Sequence, residues 1–392
     1  MHIARLNLTN FRNYRQLELK LPPHMVVIQG DNAQGKTNLL EAIHVVATTK
    51  SHRSASDREL IHQDAATEDL PFARITADVE RAQGNLNLEI ILRLEGTEPV
   101  SNENAAGSKT STIPLRKRVK VNHVARRAAE LVGQANVVMF SAQDIDLVSG
   151  APALCRRYLN LFNSQIDPAY LRSLQRYARV LVQRNHLLRL VQEHKAQADQ
   201  LEFWDNELVE SGAYLVLQRQ HSVTALNRLA QGIHWEISSQ TERLEVAYIS
   251  NIGIEEGLSG VESRFRQALR QIRRREIAQG MTLAGPHRDG LQFKVNKADM
   301  SKYGSRGQQQ TIAISLKLAE AQHMYAEVGD YPIMLLDDVF SELDRYRRQH
   351  LLESIAPFQQ VLISAVDLDC FEPSCLARAD HFRVRQGIIE SA

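Results

Sequence analysis

Gly30-Asp31-Asn32-Ala33-Gln34-Gly35-Lys36-Thr37 reads G-x-x-x-x-G-K-T, and its neighbours decide the fold. The apolar run Met25-Val26-Val27-Ile28 enters it, and Asn38-Leu39-Leu40-Glu41-Ala42-Ile43 leaves it in helical style. Strand, loop and helix in that order form a cradle for a nucleoside triphosphate. Glycines let backbone N–H groups close around the phosphates, Lys36 reaches the β and γ oxygens, and Thr37 offers its hydroxyl to Mg2+. Gly30 through Asn38 are therefore the candidate nucleotide ligands, within an α/β fold.

Working outward, Leu17, Leu19 and Leu21 alternate with Gln16, Glu18 and Lys20, the period of a half-buried strand. Residues 74–94 continue in strand style. Gly96 to Pro114, rich in Ser, Asn, Thr and Gly without periodicity, reads as an exposed loop. From Pro152 the texture turns helical. Leu171, Leu174, Ala178, Leu181, Asn185 and Leu188 fall at steps of three and four, a short heptad seam, and a second helical run follows from Leu201 to about Ala230. Two such helices form either a projecting hairpin or a lobe packed on its own core. Strand texture returns near Met281, and apolar strands follow at Ile333-Met334-Leu335-Leu336 and Val361-Leu362-Ile363. The expected organisation is a nucleotide-binding head split in sequence: 1–150 and 280–392 as its halves, with 151–279 as an inserted, mainly α-helical lobe.

Tyr331 to Asp338 is an apolar strand ending in two carboxylates. A strand end puts Asp337 at the carboxyl edge of a parallel sheet, beside the phosphate loop, where it joins the Mg2+ shell with Thr37. Asp338 stands where a general base would orient the attacking water. About thirty residues earlier, Ser305-Arg306-Gly307-Gln308 precedes an amphipathic helix, and Ser341-Glu342-Leu343-Asp344 follows the carboxylates. In this order the elements resemble those of the ABC-type ATPases. That resemblance implies that Ser305, Arg306, Gly307 and Gln308 bind the γ-phosphate of ATP held by a second subunit, and that Asp344 lies in the loop through which two heads meet. A hydroxyl, an exposed glycine N–H and a positive helix end all suit an anion.

A narrower resemblance, to the RecF family in the SMC-like branch, covers essentially the whole chain. It rests on Leu8 to Tyr14, Gly30 to Glu41, Lys50-Ser51-His52-Arg53, Gly150-x-Pro152 with Arg156 to Leu159, Gly285-Pro286-His287-Arg288-Asp289, the Ser305 loop and Leu335 to Asp344. It implies that Arg12 lies near the phosphates and that Gln143 senses the Mg2+ and the attacking water, so that Asp338, Lys36 and Gln143 form the catalytic set. It also implies an ATP-dependent homodimer that clamps DNA at gaps or junctions and works with RecR and RecO to help load RecA. No His follows the last core strand, and Asp338 replaces the longer Glu common in ABC proteins, so hydrolysis is expected to be slow.

Composition constrains the rest. The chain has 392 residues, 43% hydrophobic and 24% charged, with formal net charge +1. It shows neither a long apolar stretch nor a secretion-signal pattern, so a cytoplasmic protein without membrane contact is expected. Cys155, Cys370 and Cys375 read as reduced thiols. Asn296-Lys297-Ala298-Asp299 spells a guanine-reading motif, but no D-x-x-G element precedes it, so it reads as a polar turn. Two acid-free stretches stand out: Arg264, Arg266, Arg270, Arg273, Arg274 and Arg275, and Arg116, Lys117, Arg118, Lys120, Arg126 and Arg127. Either suits the phosphates of single- or double-stranded DNA with little sequence specificity, and the sequence does not choose between them. Three rival readings use the same nucleotide motifs: the ATPase subunit of a transporter, a structural SMC-type scaffold, and a non-hydrolysing DNA-binding module. The helical insertion and missing His disfavour the first, and the short seam disfavours the second.

Overall fold

A computed structural model of the chain describes residues 1–391 apart from 55, 68–69, 96–99, 104–108, 113 and 254. Its contacts divide the chain into two compact units, Met1–Ala142 with Met324–Ala392, and Gln143–His323. The sequence expectation put the breaks after 150 and 279, so the second unit runs further along the chain than the helical texture suggested.

The first unit holds two sheets. One is antiparallel, in the order Tyr14–Lys20, His2–Phe11, Phe72–Glu80, Leu86–Leu94, Leu115–Val121, Val124–Arg126. Its strands alternate as a one-sided sheet must: Leu6 and Leu8 are buried while Arg5 is exposed, and Ala73, Ile75, Ala77 and Val79 form one buried row. The other runs Val137–Ser141, Ile333–Asp337, Val361–Ala365, Met25–Gln29, Asp380–Arg385, Ile388–Ser391, parallel except for the last strand. Val26, Val27 and Ile28 are fully buried on both faces, the signature of a central parallel strand. Helix Lys36–Thr48 packs against strands of both sheets, and eleven of its thirteen residues are buried. Burying side chains such as its Leu39, Leu40 and Ile43 stabilises by roughly 1.5–3 kcal/mol each.

Within the stretch expected to be a loop, Val100–Glu103 and Lys109–Thr112 pair antiparallel, and 96–99, 104–108 and 113 lie outside the described residues.

The second unit carries helices Pro152–Ile166, Pro168–Gln192, Leu201–Ile237 and Gly257–Gln279, with a small sheet of Leu244–Ile249, Gly290–Val295 and Ala298–Asp299. The two seam helices lie antiparallel, since Asp167 meets Tyr214 and Arg184 meets Asp205. They pack on a core of their own with helix Gly257–Gln279, so the lobe alternative holds here. Gly212 lets this happen: a Cβ there would stand 2.6 Å from Phe265 and 2.8 Å from Tyr177. The buried face of Pro168–Gln192 is not the Leu171-to-Leu188 seam. It is Tyr170, Tyr177, Val180, Arg184, Leu188 and Val191, and Ala178 is exposed. The heptad spacing misplaced the stripe, because two tyrosines and a fully buried arginine belong to it. Arg184 is compensated by Asp205, Glu276 and the Thr282 hydroxyl. The guanine-like tetrapeptide is a hairpin turn, with Asn296 and Lys297 at φ 48° and 72°. Among the described residues no helix is long and apolar enough to cross a membrane.

Candidate functional site

The phosphate loop leaves the central strand Met25–Gln29 and closes at Gly35, whose φ of 122° at the N-cap of the following helix is open to glycine alone. The loop is braced from two sides. Asn13 Nδ2 donates to the Gln34 carbonyl at 2.8 Å, Asn38 Nδ2 donates to Asn13 Oδ1 at 2.8 Å, and the Tyr14 hydroxyl donates to the Gly35 carbonyl at 3.0 Å. Burial pushes the Tyr14 hydroxyl pKa far up, so it stays a donor. From the other side, Gln386 and Gly387 donate backbone N–H groups to Gln34, at 2.7 Å and 3.0 Å. Gly30 fits because a Cβ would stand 2.5 Å from the Val384 carbonyl oxygen.

Lys36 is buried, and its Nζ donates to the carbonyls of Gly30 at 2.6 Å and Asp31 at 2.9 Å. Burial lowers its pKa, while the carboxylates of Asp338, Asp337 and Asp31 oppose that shift. Thr37 Oγ1 donates to Asp337 Oδ1 at 2.8 Å, and Ser364 Oγ donates to the same oxygen at 2.7 Å. Sheet register explains the meeting, because Asp337 pairs with Ser364, which pairs in turn with Ile28 at the foot of the loop. Asp338 turns into the left-handed region at φ 51°, with its N–H held by Ser364 Oγ at 2.9 Å. For a non-glycine residue that conformation is a local strain of the kind found at reacting sites. A cavity of about 300 Å3 opens beside it, lined by Asp338, Ser341, Arg348, Ser364 and Asp367. A larger one of about 820 Å3 adjoins it across Arg348, Asp369 and Cys370 and touches none of the expected site residues. Its size does not make it the reaction centre.

Two further residues expected at the nucleotide make contacts within the chain. Arg12 donates through Nε and Nη2 to the two oxygens of Glu41, each at 2.8 Å, through Nη2 also to Ser54, and through Nη1 to the Glu59 carbonyl. Glu41 is fully buried, and Arg12 supplies the cation that compensates it. Asp344 is the N-cap of helix Arg345–Ile355, accepting from Arg347 N at 2.9 Å and from Arg347 Nη1 at 2.7 Å.

Gln143 and the Ser305 loop belong to the second unit. Gln143 is exposed in the turn Ala142–Ile145. Ser305 and Gln308 form a reciprocal capping box: Ser305 Oγ accepts from Gln308 N at 3.2 Å, and Gln308 Oε1 accepts from Ser305 N at 3.0 Å. The box starts helix Arg306–Val328, with Ser305 and Arg306 exposed and Gly307 half-buried. Further along that helix, buried Lys317 sits 3.6 Å from Asp144 and 3.3 Å from Glu320, with its ammonium over the Tyr158 ring.

A family model described as the RecF/RecN/SMC N-terminal domain matches residues 2–387. The chain belongs to this family. Among its relatives is the DNA replication and repair protein RecF of Herpetosiphon aurantiacus, 43% identical over 99% of each chain. Another is that of Halalkalibacterium halodurans, 41% identical over 100% of this chain and 99% of its own. A solved structure of the recombination mediator RecF with ATP, in the RecFOR pathway, superposes with a TM-score of 0.85 at 29% identity, covering 100% of this chain and 97% of that one. An Smc head bound to a winged-helix domain of ScpA shares the fold at TM-score 0.52 and 13% identity. The ABC-type head expected from the Ser305 loop and the carboxylate pair is thus the fold of the family.

The bracing residues were not singled out as ligands from sequence. Asn13 and Tyr14 stood inside a quoted family stretch, and Gln386-Gly387 is a two-residue turn with both φ positive, at 47° and 77°. Ser364 carried no signal beyond its place in an apolar strand.

Proposed function

We propose that this chain is a DNA-clamping ATPase in which two copies close on two ATP molecules. It is a RecF-type ATPase of DNA replication and repair. ATP is its nucleotide, held by Gly30 through Asn38 with Lys36 on the β and γ oxygens. The observation that carries the reading is the join of Thr37, Asp337 and Ser364 at one sheet edge, with Asp338 strained beside an open cavity.

That edge suits Mg2+. A hydroxyl and a carboxylate 2.8 Å apart are the hard-oxygen pair this ion takes when phosphates and water complete its shell, so Thr37 and Asp337 would hold it. When bound it would supply charge neutralisation for the β and γ oxygens. Asp338 orients the attacking water from the cavity and accepts its proton. Gln143 is the sensor in that role, as the family resemblance implies. Carboxylate length and the absence of a histidine from Val361 to Asp367 favour slow turnover, so ATP acts chiefly as a switch.

The exposed Ser305 box completes the site of a second subunit: a hydroxyl, backbone N–H groups and the positive end of a 23-residue helix suit the γ-phosphate. Dimerisation is then a population shift, because ATP binds the dimer better than the monomer. The dimer clamps DNA at gaps or junctions. RecO and RecR are its partners in assisting RecA, and the free thiols Cys155, Cys370 and Cys375 fit a reducing cytoplasm.

The test compares Ser305→Arg with Lys36→Met by light scattering and nucleotide titration. Ser305→Arg keeps ATP affinity and loses ATP-dependent dimerisation, whereas Lys36→Met loses both. A Ser305→Arg chain that dimerises normally with ATP would end the shared-site reading. Asp338→Asn should trap the dimer on DNA, and unchanged turnover would remove Asp338 from the water's activation.

A further inference from the structure

The two basic stretches differ in how their charges are spent. On the antiparallel sheet, Arg116 meets Glu95 at 3.0 Å, Lys117 meets Asp57 at 2.6 Å, Lys120 meets Glu89 at 2.7 Å and Arg126 meets Glu130 at 3.8 Å. Only Arg118 and Arg127 of that set are exposed without a carboxylate partner among the described residues.

Helix Gly257–Gln279 is organised differently. Arg264 pairs with Glu255, Arg266 with Glu262 and Arg273 with Asp205, which removes three of its six arginines. Arg270, Arg274 and Arg275 are exposed and have no carboxylate partner among the described residues. At 100° per residue they share one arc with Gln267, Gln271 and Ala278, all exposed, and the arc contains no acid. The buried side of the helix, Val261, Phe265, Leu269 and Glu276, holds it in place.

The second unit adds a cation from elsewhere in its sequence. Arg288, in the Gly285-to-Asp289 segment that the nucleotide chemistry leaves unused, lines a cavity of about 350 Å3 with Arg275, Gln271 and Asn251. It donates through Nη2 to the Thr282 carbonyl at 3.2 Å, a neutral acceptor that anchors the side chain without cancelling its charge.

We infer that this surface, Arg270, Arg274, Arg275 and Arg288, is where the chain grips the DNA backbone. The inference rests on the DNA-clamp reading and decides between the two stretches that the sequence left open. A helix rise of 1.5 Å per residue places Arg270 and Arg274 about 6 Å apart along the axis, near the ~7 Å axial separation of alternate phosphates on one strand. Guanidinium groups and carboxamides recognise phosphate oxygens, and contacts to the backbone carry no sequence information, so this grip is indifferent to sequence.

The test measures binding of the full chain with ATP to a fluorescent gapped duplex, by anisotropy across a salt series. One variant carries Arg270→Gln, Arg274→Gln, Arg275→Gln and Arg288→Gln, and a control carries Arg118→Gln and Arg127→Gln. The fourfold variant should lose roughly 10- to 100-fold in affinity at 100 mM salt. Its log–log salt slope should fall by about 0.9 for each phosphate contact removed, equally for unrelated sequences. ATP-dependent dimerisation and the circular-dichroism melt should be unchanged, and the control should bind as wild type. Wild-type binding by the fourfold variant, or a loss confined to the control, overturns the assignment. A wild-type chain that binds no DNA with ATP would overturn the clamp reading itself, a different outcome from the first two.

Discussion

Histidine 287 gives the sharpest physical test of how the second unit is held. Its Nδ1 lies 2.6 Å from the Tyr177 hydroxyl and its Nε2 lies 3.1 Å from the Thr282 carbonyl. A neutral ring fits that pair: Nε2–H donates to Thr282 while Nδ1 accepts from Tyr177. Burial pushes its pKa from 6.5 down to about 4; the Thr282 carbonyl opposes the shift, and Arg288, Arg156 and Arg184 assist it. Because the folded pKa lies below the unfolded one, the unfolded chain takes up a proton first as pH falls. The contribution is full above about pH 6.5 and is lost progressively down to about pH 4. The shift of about 2.5 units corresponds to about 3 kcal/mol, of which about 2 kcal/mol is gone by pH 5. His287→Gln keeps hydrogen-bonding atoms but cannot titrate. Unfolding of the second unit, followed by urea and hydrogen exchange, should lose about 2 kcal/mol more in wild type than in this variant between pH 7 and pH 5. Carbon-13 histidine NMR should show one ring, absent from the variant, titrating near 4. A ring that titrates near 6.5, with parallel pH profiles for both proteins, would refute the reasoning.

Other perturbations separate structural from nucleotide roles. Gly35→Ala puts a Cβ 2.5 Å from Asn13 Nδ2 at φ 122°; ATP affinity should collapse and the melting temperature drop by the equivalent of about 1–3 kcal/mol. Arg12→Ala should destabilise by roughly 3–5 kcal/mol by stranding the buried Glu41 carboxylate. If Arg12 serves only Glu41, adding Glu41→Gln restores both stability and ATP affinity in calorimetry; a persistent loss of affinity would return Arg12 to the nucleotide. Lys317→Met should likewise cost about 3–5 kcal/mol in chemical denaturation, because Asp144 and Glu320 lose their cation, and Lys317→Met with Glu320→Leu should recover part of it. Asp344→Ala should cost about 1 kcal/mol through the lost cap, and Asp344→Asn should cost little.

What the sequence revealed, and what it hid, follows from the range of the interactions. The phosphate loop and the carboxylate pair are contiguous motifs whose chemistry depends on local backbone, so spacing located them, and the Ser305 loop followed from the resemblance to ABC-type ATPases. Strand alternation in Leu17 to Leu21 was equally legible, because one face meets water. Arg12 and Asp344 each also meet a nearby group, the Glu41 carboxylate or the Arg347 backbone, that spacing does not reveal. Arg184 was invisible as a core residue because its burial depends on acids supplied by two other helices. Ser364 needed the order of strands before its hydroxyl could be placed beside Asp337.

The central strand of the parallel sheet has a temporal consequence for the cell. Met25–Gln29 is flanked by Val361–Ala365 on one side and Asp380–Arg385 on the other. During synthesis at about 5–20 residues per second, this apolar strand waits on the order of tens of seconds for both neighbours. Until then its two edges are open templates for other chains. A nascent or truncated chain lacking those neighbours therefore has no nucleotide pocket to report and an aggregation-prone segment to shield. Formation of the nucleotide pocket therefore waits on strands drawn from far along the chain.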